Sequence, residues 1–119
     1  MKRNLLIILI ITSGVFGAEQ IRPSEDQETD VVRKEGESVT LKCSYDSSSD
    51  YVSLYWYRQF PNRALQYLLY RGARSWSSSN TADRRFESTA TRISTELSTR
   101  EVRLEDTALY YCALQAGAQ

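Results

Sequence analysis

Residues 104–119 read LEDTALYYCALQAGAQ. From Ala108 onward the run alternates. Ala108, Tyr110 and Cys112 fall on one face, and Leu109, Tyr111 and Ala113 on the other, which is the period of a half-buried β-strand. Asp106 stands six positions before the cysteine and Tyr110 two before it. An inward-facing cysteine wants a partner, and the chain has one other, Cys43.

Working outward, the stretch before Trp56 has the same character. In ESVTLKCSY, Val39, Leu41 and Cys43 share one face, with Ser38, Thr40 and Lys42 opposite. In VSLYWYRQ, Leu54 and Trp56 share one face and Tyr55, Tyr57 and Gln59 the other. Pro61 and Asn62 end that run, and ALQYLLY supplies the next strand. The polar stretch RGARSWSSSNTADRR reads as a connection. FESTATRIS and TELSTREV read as two further strands, with Phe86, Ile93, Leu97 and Val102 as expected core residues. No segment sustains a helical period over three turns, so the pattern predicts an all-β sandwich.

The N-terminus has its own logic. Lys2 and Arg3 precede an apolar run from Leu5 to Ile11, and small residues follow. That layout predicts a secretory signal peptide over 1–17, cleaved after Gly17. A buried N-terminal strand or a membrane anchor is the alternative, although the run is far short of the roughly 20 residues a spanning helix needs. Residues 18–119 are then one domain. Its two cysteines, in a secreted chain, read as a disulfide whose closure of a loop of about 70 residues contributes roughly 4 kcal/mol.

Composition excludes several function classes. The whole chain carries 15 basic and 15 acidic residues, and loss of the leader leaves 13 against 15. That balance does not suit a nucleic-acid binder. Histidine is absent, which removes the usual general base and the commonest metal ligand. With both cysteines paired there is no nucleophile–base couple, so no enzyme, no metal and no cofactor is expected. No second apolar segment follows the leader, so no membrane span is expected in this chain.

The order Cys43, Trp56, Cys112, with Tyr110 two residues before the last, is that of an immunoglobulin sandwich with one disulfide between its sheets. Tyr110 is then the corner tyrosine, bonding backbone a few residues upstream. Asp106 is expected to bridge Arg85, in preference to Arg84, because a guanidinium fork matches a carboxylate. WYRQ, RRF, LEDTALYYCAL and the 68 residues between the cysteines resemble an antigen-receptor variable domain. The phrases EGESVTLKCSY and YYCAL are most similar to T-cell receptor alpha or delta variable segments.

That resemblance implies function through surfaces. The first recognition loop maps to Ser47–Ser53, including Ser48, Ser49, Asp50 and Tyr51. The second maps to Arg71–Ser79, including Gly72, Ala73 and Arg74, and the third begins at Ala113, Leu114 and Gln115. Trp76 is either exposed for binding or folded back onto the sheet, and Arg71 and Arg74 either meet an acidic partner or are solvated edge charges. Tyr57, Gln59, Leu65 and Tyr111 fall on the face that pairs with a beta-type (or gamma-type) variable domain, unless the chain's own third loop covers Tyr57 and Tyr111. The implied ligand is a peptide held by a major-histocompatibility molecule. Receptor signalling subunits would join through a constant region, at the outer face of the plasma membrane. An innate or adhesion-type V-set receptor with a fixed protein ligand is the alternative. The family's last strand carries Phe-Gly-x-Gly, which this sequence lacks. The expectation is therefore a V-type sandwich with its final strand missing, truncated after the start of the third loop, the strand of Cys112 left as an open sheet edge.

Overall fold

The computed structural model describes residues 4–11 and 19–117. Among these residues, ten strands form two sheets. They are β1 (Asn4–Ile11), β2 (Gln20–Pro23), β3 (Asp30–Lys34), β4 (Val39–Asp46), β5 (Tyr51–Gln59), β6 (Gln66–Arg74), β7 (Ser79–Thr81), β8 (Phe86–Ala90), β9 (Ser94–Thr99) and β10 (Ala108–Ala116). One sheet runs β3-β1-β10-β5-β6-β7 and the other β2-β4-β9-β8. The only helical turn among the described residues is a 3-10 turn at Leu104–Asp106.

The alternating strands pack as their periodicity requires. Val39, Leu41, Cys43 and Tyr45 of β4, Val52, Leu54 and Trp56 of β5, and Ala108, Tyr110 and Cys112 of β10 all lie in one buried cluster. Cys43 and Cys112 are bonded across the two sheets. The Trp56 indole N–H donates to the Thr95 hydroxyl at 3.3 Å, so its one polar atom is satisfied in the core.

At the opposite end from the β4–β5 connection, the sandwich is closed by polar bonds. Arg85 meets Asp106 through both guanidinium nitrogens, at 3.0 and 2.7 Å. Asp106 is 2% exposed and also accepts the Arg103 backbone N–H at 2.8 Å. Burial pushes its pKa up, but the Arg85 hydrogen bond and the Arg103 amide outweigh that and hold the carboxyl below its ordinary range. The Tyr110 hydroxyl donates to the Asp106 carbonyl at 2.6 Å. Burial, followed by the neighbouring Asp106 charge, drives the Tyr110 pKa upward.

Two expectations need correcting. Ile93 is not a core residue: it is 68% exposed. The Thr91 hydroxyl accepts from the Ile93 and Ser94 backbone N–H groups, which turns the chain between β8 and β9 and breaks the alternation there. The strand expected to end at Tyr70 continues to Arg74. Along Ala108–Cys112, β1 pairs with β10 in parallel through Ile7–Ile11, so the open edge expected there belongs to the chain without residues 1–17. On its other side β1 pairs antiparallel with β3. Residues 1–3 and 12–17 of the expected leader, with its cleavage point, lie outside the described residues.

Candidate recognition surface

The connection between β4 and β5 is only four residues long, Ser47–Asp50, so Tyr51 and Ser53 stand on the rim of the sheet rather than in a free loop. Ser49 is buried within this connection. Its hydroxyl accepts the Tyr51 backbone N–H at 3.0 Å and lies at hydrogen-bonding distance from the Tyr51 and Gly117 carbonyls. Ser48 donates from its backbone N–H and its hydroxyl to Glu19, each at 3.2 Å. Serine bonds, that of Ser47 foremost, hold the Glu19 carboxyl below its ordinary pKa. Asp50 is exposed and pairs loosely with Arg92 at 3.8 Å, a solvated contact of little energetic weight.

The β6–β7 connection folds back on its own strand. Gly72 donates its N–H to the Ser78 carbonyl at 2.7 Å, and the Trp76 N–H reaches the Ala73 carbonyl at 3.1 Å. The Trp76 indole lies directly on Gly72. A Cβ there would overlap the ring carbon Cδ1 and come within 2.7 Å of the Trp76 carbonyl. Both sequence alternatives for Trp76 therefore hold in part, since it packs on the strand and remains 44% exposed.

The third segment joins the first. Gly117 donates its N–H to the Tyr51 carbonyl at 2.6 Å, and a Cβ on Gly117 would sit 3.0 Å from the Tyr51 Cβ. Gln115 accepts the Tyr55 hydroxyl at 3.0 Å. Tyr51, Ser53, Trp76, Gln115 and Gly117 line one cavity of about 370 Å³, with no charged side chain in its lining among the described residues. Ala113 and Leu114 are half-buried, and Ala73 is buried.

Two of the expected loop residues are engaged elsewhere. Arg71 extends toward β8 and donates to the Ser88 hydroxyl at 3.2 Å. Arg74 directs its guanidinium inward, onto the carbonyls of Ser47, Ser49 and Arg92. Sequence reasoning did not single out Gly117 or the inward turn of Arg74.

A second surface lies on the outer face of β5, β6 and β10. Tyr57 stands opposite Tyr111 in the register of β5 and β10. Tyr111 donates its hydroxyl to the Gln59 side-chain oxygen at 3.0 Å, and the Gln59 amide donates to the Arg63 carbonyl at 3.0 Å. Ring pairs join Tyr55 to Tyr57, Tyr55 to Tyr70 and Tyr57 to Tyr67 at centroid distances of 5.5–6.2 Å. Burial raises the pKa of Tyr57, with the neighbouring Tyr55 adding to it. Leu65 and Tyr67 are exposed at the edge of this cluster. Sequence reasoning missed Tyr67 and Tyr70, although each stands near Tyr55 or Tyr57 once β6 is paired to β5 in register.

Comparisons with known proteins agree with this architecture. Residues 26–119 match the model of the immunoglobulin V-set domain. The chain is 34% identical to human T cell receptor alpha variable 3, covering 94% of each chain. It is 28% identical to human T cell receptor alpha variable 38-1, over 95% of this chain and 97% of that one. Against the human T cell receptor alpha chain MC.7.G5 it is 30% identical over 95% of its own length, but spans only 40% of that longer chain.

Proposed function

This chain belongs to the immunoglobulin V-set family, among the T-cell receptor alpha and delta variable segments, and on that premise we propose that it is the antigen-recognition domain of an alpha (or delta) receptor chain. It works as half of a heterodimer with a beta-type (or gamma-type) variable domain and binds a peptide presented by a major-histocompatibility molecule. The observation that carries the reading is the tyrosine face of β5, β6 and β10. A contiguous aromatic surface pointing away from the core invites a partner, because aromatic residues are enriched in the cores of protein interfaces. The Tyr111–Gln59 bond and the ring pairs hold that face in one arrangement before any partner arrives, which lowers the ordering cost of association.

The loop end has the complementary chemistry. Tyr51 and Trp76 present large, rigid contact area at small entropic cost, and the serines around them supply adaptable hydrogen bonds. Residues 1–17 act as a leader for the secretory pathway, and the mature domain stands on the outer side of the plasma membrane. Signalling subunits associate through a constant region.

The test is pairing. The chain is co-expressed with a beta-type variable domain, and the complex is measured by sedimentation. Tyr57→Glu combined with Gln59→Lys is expected to weaken association at least about tenfold, since it introduces charge at the centre of an apolar face. Pairing of the double variant at wild-type strength refutes the assignment of this face.

A further inference from the structure

Arg74 stands at φ 62°, one of two non-glycine residues with positive φ among those described. That backbone region disfavours any side chain with a Cβ, and glycine is its usual occupant. The side chain offsets the cost through an unusual set of contacts. One terminal nitrogen donates to the Ser47 carbonyl at 2.6 Å and to the Ser49 carbonyl at 2.7 Å. Nε and the other terminal nitrogen both reach the Arg92 carbonyl, at 3.1 and 2.8 Å. The guanidinium also lies 5.2 Å from the centre of the Tyr45 ring, a cation–π distance.

These carbonyls belong to two separate segments, the β4–β5 connection and the β8–β9 turn. The neighbouring backbone repeats the pattern. Ser75 donates to the Asp50 carbonyl at 2.8 Å, and Tyr45 bonds the turn through its N–H to Ile93 at 2.9 Å and its hydroxyl to Thr91 at 2.7 Å. Of the three residues whose carbonyls accept, Ser49 is buried and its backbone needs a partner, and a guanidinium is the one side chain whose planar fork donates in several directions at once.

We infer that Arg74 is a positioning residue that locks the β4–β5 connection and the β8–β9 turn into one body, so that the recognition end is organised before ligand arrives. The inference rests on the reading of that end as a recognition surface only for its purpose. The coupling itself belongs to the free chain. A ligand gripping Ser48, Asp50 or Tyr51 then acts on a surface already joined to Arg92 and Ile93.

The experiment is hydrogen exchange on the full chain, without ligand, for the wild type, Arg74→Met and Arg74→Lys. In Arg74→Met, exchange is expected to rise at least about tenfold in both Ser47–Tyr51 and Thr91–Ser94, as local opening of both segments requires. The amides of Cys43 and Leu97 in the core strands stay as in the wild type. Arg74→Lys, with a compact ammonium in place of a fork, restores protection to one segment and not to both. Unchanged exchange in both segments overturns the inference. So does a rise of equal size in the core strands, which marks a general loss of stability, or a lysine variant that protects both segments. If Arg74→Met does not fold, the lysine variant decides alone. Failure here leaves the pairing test untouched, and failure of pairing leaves this coupling intact.

Discussion

Asp106 shows how much a single buried charge can carry. Its carboxylate accepts from both terminal nitrogens of the Arg85 fork and from the Arg103 amide, so an asparagine in its place, with one acceptor oxygen and an NH₂ donor, breaks the ion pair and leaves part of that set unpaired. Asp106→Asn is expected to cost about 3 kcal/mol in urea unfolding, in line with broken buried pairs elsewhere. The pH dependence follows from the sign of the shift. The folded carboxyl has a pKa below the ordinary 3.8, so its contribution is fully present above that value and is lost as pH falls through the folded one. Melting temperature should therefore drop steeply below about pH 4 in the wild type and less steeply in Asp106→Asn. Equal slopes in the two proteins would contradict this account of the bridge. Gly72 offers a second test at this scale. Gly72→Ala forces the Trp76 ring off β6, at a cost of about 1 kcal/mol, and red-shifts the Trp76 share of the fluorescence; an unshifted spectrum contradicts the packing. The Asp106–Arg85 pair could be read from the sequence because residue types and spacing define it. The inward turn of Arg74 could not, because it depends on a positive φ and on carbonyls 25 and 27 residues before it and 18 after it.

At the scale of elements, β4, β5 and β10 were legible because strict alternation of apolar and polar residues assigns each side chain to a face. The end of β6 was not. Its last residues, Arg71 to Arg74, are polar or small, yet they are held by register with Tyr51–Leu54 of β5, a tertiary cause invisible to local propensity. The break between β8 and β9 was expected after Ser94 and falls instead at Thr91–Ile93, because the Thr91 hydroxyl redirects the backbone there, a local bond that periodicity does not show. The place of β1 was hidden too, since a continuous apolar run specifies a buried element without naming its neighbours. Its pairing predicts what the leader's removal does. A chain lacking residues 1–17 loses the strand between β3 and β10, exposing backbone donors and acceptors along Ala108–Cys112. It should melt at lower temperature than the full chain and aggregate. A strand-forming segment appended after β10, able to fold back beside it, should restore both properties. Equal melting temperatures with and without 1–17 would refute this.

For the whole molecule, the sandwich sorts its work by region. The disulfide, Trp56 and the Arg85–Asp106 bridge give a rigid frame, the outer face of β5, β6 and β10 carries the tyrosines, and one end carries Tyr51 and Trp76. That division was half legible. The strand faces of Tyr55, Tyr57 and Tyr111 follow from alternation alone, whereas the inclusion of Tyr67 and Tyr70 depends on the register shift between Trp56 and Tyr57 where β5 meets β6. The pairing face is tested most directly by a hydrogen-exchange footprint of the full chain with and without a beta-type variable domain. Protection is expected in Tyr55–Gln59, Gln66–Tyr70 and Leu109–Ala113, with β2, β4, β9 and β8 unchanged. Protection confined to the β2–β4–β9–β8 sheet, or none at saturating partner, would contradict it.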